Sequence, residues 1–128
     1  MDAEKVKNYW VVESDEALKV AWQIFNAKSY SYALFFGHLA IEKILKAIYV
    51  DKTKQQPPFT HNLLKLAEVL DTQLDQRQRD AFIEITAFNI ESRYSDEDGS
   101  FKKKCTKEFA KGWLNKIEEI HKWLKSML

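Results

Sequence analysis

Between Tyr32 and Val50 the chain reads YALFFGHLAIEKILKAIYV, and this stretch decides the fold. Leu34, Phe35, Phe36, Leu39, Ile41, Ile44, Leu45 and Ile48 recur at helical spacing and leave almost no polar side. A helix apolar nearly all round is a buried one, so it sits in the middle of a bundle with other helices around it. Three glycines and two prolines in 128 residues agree with this, because average usage would supply about 15 and tight strand turns need glycine at positive φ. Alternating apolar and polar runs are also scarce. The expectation is all-α: an up-and-down helical bundle of about five helices, one domain over residues 1–128.

Working outward, Ser14 followed by Asp15 and Glu16 reads as the cap of a first helix carrying Leu18, Ala21, Trp22 and Phe25. A polar break from Lys28 to Ser31 separates it from the central helix. On the other side, Pro57 and Pro58 force Gln56 and Pro57 out of helical geometry. Thr60 reads as the cap of a short third helix with Leu63, Leu66, Ala67 and Leu70. Asp75 with Gln78 has the spacing of a capping box for a fourth, which holds Phe82, Ile83, Ile85 and Phe88 and stops near Ile90. An acidic, irregular segment runs from Glu91 to Gly99. Beyond it, Phe101, Cys105, Phe109, Trp113, Ile117, Ile120, Leu124 and Met127 fall at steps of three or four along one long C-terminal helix. Cys105 lies on that stripe and reads as a small buried hydrophobe.

Composition excludes several classes. Apolar residues make up 45% and charged residues 30%, and the formal charge is +1, so no global field draws the protein onto nucleic acid or anionic lipid. A single cysteine rules out a disulfide within the chain and a Cys-based zinc site. No apolar run approaches the roughly 18 residues of a membrane span. The start, MDAEKVKNY, is too polar for a signal peptide, and a cytoplasmic location without membrane contact is expected. Glu118 with His121 is the one Glu-x-x-His pair where a di-iron bundle needs two. There is no Gly-rich phosphate loop, His38, His61, His121 and Cys105 form no metal or nucleophile spacing, and the run Asp96, Glu97, Asp98 reads as a solvated loop. No metal and no cofactor are expected.

Three features could carry chemistry. His38, Glu42 and Lys46 recur every four residues on the apolar helix, with Lys43 beside them. They are either salt-bridged along a solvated edge or turned toward a polar cleft or subunit boundary. Arg93 and Tyr94 follow a core helix: the guanidinium suits a two-pronged phosphate contact and the ring suits stacking on a base. The structural alternative is an ion pair of Arg93 with Glu42, Glu91 or Asp96. Lastly, from Phe101 onward eight lysines face three glutamates, a local excess that either neutralises phosphates or simply faces water.

Taken in order, Tyr30-Ser31-Tyr32-Ala33, the helix Leu39-Ala40-Ile41-Glu42-Lys43-Ile44-Leu45-Lys46-Ala47, then Pro58-Phe59-Thr60-His61-Asn62-Leu63 and Ser92-Arg93-Tyr94 span nearly the whole chain. The combination resembles the HEPN family, named for nucleotide binding in higher eukaryotes and prokaryotes. The resemblance implies a bundle that pairs with a copy of itself, in many members as a toxin beside a nucleotidyltransferase-like antitoxin. It also implies, for the ribonucleases of the family, an arginine followed after about four to six residues by a histidine, the two motifs of a dimer cutting RNA without metal. Here Asp98, Gly99 and Ser100 stand where that histidine would be. Acid–base help is worth about 10²–10⁴-fold, so its loss points to binding with little turnover.

The leading expectation is a non-catalytic homodimeric module that binds RNA, a nucleotide or a nucleotidyltransferase-like antitoxin. Arg93 and Tyr94 would line the dimer cleft, Glu42 would orient Arg93, and Lys43 or Lys46 would add charge. One alternative is a metal-independent endoribonuclease toxin that uses His61 or His38 as its acid–base group. The other is a structural interaction domain with a buried Arg93–Glu42 pair.

Overall fold

Asp2 starts the first helix. Its carboxylate accepts from the Lys5 amide at 3.2 Å, and α1 runs unbroken over Ala3–Asn26. The structure, a computed structural model, describes residues 1–70, 73–94 and 97–128. Ser14, expected to cap, lies in the middle of α1, buried, and its hydroxyl donates to the Ala40 carbonyl at 2.6 Å. A serine hydroxyl serves a first-turn amide or a carbonyl across a close helix seam equally well, and local sequence does not separate the two.

A short turn reverses the chain. Lys28 takes φ 66°, and the amides of Ala27, Lys28 and Ser29 donate to the carbonyls of Gln23, Phe25 and Ile24. The next helix, α2 (Tyr30–Thr53), is the spine of the molecule: it touches each of the other five helices. Leu34, Ile41, Ile44 and Leu45 are fully buried on its different sides, as its all-round apolar surface requires.

Asn62 caps α3 (Leu63–Ala67), accepting from the amides of Leu64 and Lys65. Thr60 instead accepts from the amide of Asn62, one step before the helix. The capping box of Asp75 and Gln78 forms as expected and opens α4 (Gln76–Glu91). The C-terminal stripe is carried by two helices instead of one, α5 (Ser100–Lys104) and α6 (Lys107–Lys125). Thr106 causes the break, because its hydroxyl accepts from the Phe109 amide at 3.2 Å and starts a new helix. The apolar face continues across the break through Phe101, Cys105, Ala110 and Ile117. Cys105 is buried, and burial pushes its thiol up to about 11. Among the described residues the fold is all-α, six helices with no strand, and no helix is long and apolar enough to cross a membrane.

The outer helices close on each other through polar contacts. Lys125 meets Asp15 at 2.8 Å, and the Trp22 indole donates to Glu118 at 3.2 Å. His121 is buried beside this seam, with Nε2 3.3 Å from Asp15 but not aligned for a hydrogen bond. Burial, foremost, holds its pKa below the usual histidine value.

Gly37 lets α2 and α6 approach. A Cβ built there would stand 2.8 Å from Ile117 Cδ1 and 3.1 Å from Leu114 Cδ2. Gly112, on the exposed side of α6, has nothing within 4 Å of such a Cβ. In urea unfolding, Gly37→Val should therefore lose about 1–3 kcal/mol through overpacking. Gly112→Ala should gain roughly 0.5–1 kcal/mol from helix propensity. Equal responses at the two positions would show that the close approach of α2 and α6 is wrong.

Candidate functional site

Within the apolar surface of α2, His38 is 0% and Glu42 4% exposed, with Lys46 buried one turn further on. Groups like these are costly to bury unless each finds a partner. Glu42 supplies most of the answer. One carboxylate oxygen takes the Lys46 ammonium at 3.1 Å, and the other accepts from His61 Nδ1 at 2.7 Å. His38 Nε2 lies 3.0 Å from the backbone carbonyl of His61. A carbonyl only accepts, so His38 donates and carries its proton on Nε2. Its approach to Glu42, at 3.8 Å, is electrostatic only.

Two α2 side chains one turn apart thus hold one loop residue, by its backbone and by its ring. The His61 side chain remains 60% exposed, with Nε2 on the side of the ring opposite the Glu42 bond. The His38–Glu42–Lys46 stripe is therefore not a solvated edge. It is a polar seam roofed by the segment that leads into α3. The Lys46 ammonium also lies over the Trp10 ring, 5.0 Å from its centroid. Lys43 turns away from this group and sits 3.8 Å from Glu13 on α1.

Arg93 is placed differently from expectation. Asn89, one turn earlier on α4, accepts both from Arg93 Nε, through its carbonyl at 2.9 Å, and from Nη2, through its side-chain oxygen at 2.8 Å. Glu42 does not orient Arg93, because its two oxygens are already taken by His61 and Lys46. Nor does the structure pair Arg93 with Glu91, and Asp96 lies outside the described residues. The buried Arg93–Glu42 pair of the structural reading is likewise absent, since Arg93 is exposed. The guanidinium carbon lies over the Phe35 ring, 4.9 Å from its centroid, and over the Tyr94 ring, 5.1 Å from its centroid. Asn89 occupies the Nε/Nη2 edge. The Nη1/Nη2 edge has no hydrogen-bond partner among the described residues.

Phe35 and Asn89 belong to the site, and sequence reasoning passes over both. Phe35 gives no signal, being one apolar residue in an apolar helix. Asn89 does give one: an amide inside a core helix, four residues before an arginine. The two groups are neighbours. Burial above all pushes the His38 pKa down, and the charges of His61 and Arg93 add to this, against the His61 carbonyl and Glu42. Buried polar atoms without partners also collect here, among them His38 Nδ1, Asn89 Nδ2 and Ser92 Oγ. Among the described residues no three His, Cys, Asp or Glu side chains are grouped to hold a metal ion. Part of the lysine excess is engaged: Lys104 lies over Phe109, Lys116 over Trp113, and Lys125 binds Asp15.

The sequence matches the HEPN domain over residues 8–127. The crystal structure of TT1696 from Thermus thermophilus superposes with a TM-score of 0.80 at 19% identity, covering 95% of this chain and 98% of that one. At that identity the likeness speaks to the fold alone. No curated protein matches.

The two buried histidines set a pH dependence. The unfolded chain takes up protons near pH 6.5 that His38 and His121 refuse when folded. Stability therefore rises with pH through this range, and it falls as pH drops from about 7.5 through 6.5 and below, the slope approaching about 1.4 kcal/mol per pH unit for each histidine only under pH 6.5. Urea unfolding of the wild type should show this decline, and a His38→Gln/His121→Gln double variant should flatten it. A wild-type profile already flat over that interval would contradict the burial of both rings.

Proposed function

Because the chain belongs to the HEPN domain family, we propose that it is a binding module without turnover: a homodimer whose Arg93 corner takes a phosphate of RNA or of a nucleotide. One observation carries this reading. Arg93 is held by Asn89, lies over two aromatic rings, and is uncompensated by any described carboxylate. Its free edge offers two parallel N–H donors, the geometry that phosphate oxygens accept. Fixing the side chain beforehand removes much of the ordering cost of binding. Tyr94, 67% exposed, presents a face on which a base can stack. Glu42 and Lys46 act one layer below, by holding His61 at the rim.

A second reading is favoured by the His61–Glu42 bond. A histidine that donates Nδ1–H to a buried carboxylate, with Nε2 toward solvent, has the arrangement of a general base. Metal-free RNA cleavage also needs a proton donor for the leaving oxygen, and the His61 of a second copy is the group that would supply it.

Fluorescence anisotropy with a short labelled single-stranded RNA, in chelator, tests both. Arg93→Ala should weaken binding about tenfold or more, the worth of a charged hydrogen bond. Arg93→Lys should fall between, since an ammonium lacks the fork. Unchanged affinity in Arg93→Ala would remove the leading reading. Recovery of intact RNA supports a binder, whereas cleavage that disappears in His61→Ala would replace it with the enzyme. Sedimentation of the same samples should show a dimer at tens of micromolar.

A further inference from the structure

Four helices begin with a side chain that caps the first turn: Asp2, Asn62, Asp75 and Thr106. The central helix does not, since Ser29 makes no side-chain cap hydrogen bond. The first α2 amide with a backbone acceptor is that of Ala33, bonded to the Ser29 carbonyl at 3.0 Å. The amides of Tyr30, Ser31 and Tyr32 are left with no partner among the described residues. A 24-residue helix points its positive end at this spot.

The open end faces a cavity of about 320 Å³, formed by the Lys28–Tyr32 turn together with Lys102 and Cys105 from across the bundle. That is near the lower end of the range for small-molecule sites, about 300–1,000 Å³. Ser31 lines it while only 6% exposed, and its hydroxyl has no hydrogen-bond partner among the described residues. A hydroxyl in the cavity wall that no described residue uses is open to a ligand oxygen.

The charged side chains lining the cavity are both lysines, and the nearest opposing charge is Glu91, whose carboxylate acts on Cys105. No aspartate or glutamate occurs between Ala17 and Ile41, and neither Lys28 nor Lys102 has a carboxylate partner among the described residues. The negative end of α1 adjoins the cavity, and the Ala27, Lys28 and Ser29 amides occupy its Gln23, Phe25 and Ile24 carbonyls. Cys105 adds no charge, its thiol being held in the neutral form.

We propose that the start of α2 is a second anion site, separate from Arg93, that takes a terminal phosphate group. The three free amides and the Ser31 hydroxyl bind its oxygens, and Lys28 and Lys102 balance its charge. The site also gives a role to part of the C-terminal lysine excess that the Arg93 corner does not use.

Amide-resolved NMR titration of the full chain with inorganic phosphate, against sodium chloride at equal ionic strength, tests this. Saturable shifts are expected at Tyr30, Ser31 and Tyr32 with phosphate and not with chloride. Lys102→Gln changes an exposed side chain, so it should keep the fold and weaken binding about tenfold, as loss of one charged contact does. Ser31→Ala should weaken it by a smaller factor, and Arg93→Ala should leave it unchanged. Identical shifts with chloride, or wild-type affinity in Lys102→Gln, would overturn the proposal. A parallel titration with a nucleoside 5′-monophosphate separates the sources. Tighter binding than phosphate assigns the site to an ester end group, and weaker binding assigns it to the free ion; either result supports the site.

Discussion

The Glu42 carboxylate is the constraint on which the candidate site depends. It is an ionisable group set into the most apolar helix of the chain, and it is tolerable there only because Lys46 and His61 both reach it. Removing either partner would leave one carboxylate oxygen buried without its bond, and removing both would leave the charge uncompensated, which is far more costly than never having placed it. The loop before α3 is consequently held in one position, since only there does His61 meet both Glu42 and His38. Hydrophobic burial fixes which helices surround α2; this polar cluster fixes how the loop lies across it.

The same cluster leaves Arg93 without a carboxylate partner among the described residues. A guanidinium near a carboxylate normally pairs with it, and such a pair has little left for a ligand. Here the carboxylate is already engaged, and Asn89, a neutral residue, supplies the orienting bonds. The positive charge is thus positioned without being neutralised. A buried amide holding an exposed arginine is a different device from a salt bridge, although the two look alike as spacings in a sequence.

The fold is legible wherever one periodicity dominates. The all-round apolar character of α2 places it at the centre, and the Asp75–Gln78 box marks the start of α4. Errors arise where a side chain can serve two purposes. Ser14 and Thr60 both have the look of caps; one ties two helices together and the other braces a turn. The C-terminal stripe keeps its register across Cys105 and Thr106, so the pattern of apolar residues carries no sign of the break, which a single hydroxyl decides. In the candidate site the polar stripe and the Arg93–Tyr94 pair stand out, because polar groups in apolar helices are rare. Their partners do not. That Glu42 meets His61 and not Arg93 depends on a loop folding back over α2, and no local pattern encodes such a return. Phe35 cannot be told from its apolar neighbours until the guanidinium is seen lying on it.

The interruption between α5 and α6 has a consequence for how the chain tolerates change. In one continuous helix each residue turns its successors by about 100°, so an insertion or deletion would swing every later side chain to a new face. Thr106 resets that count by starting a fresh helix. A residue gained or lost at the junction can be absorbed there, and the phase of Leu114, Ile117 and Leu124 against the spine is kept. The lysine-bearing turn and the closing helix are in this sense separate modules.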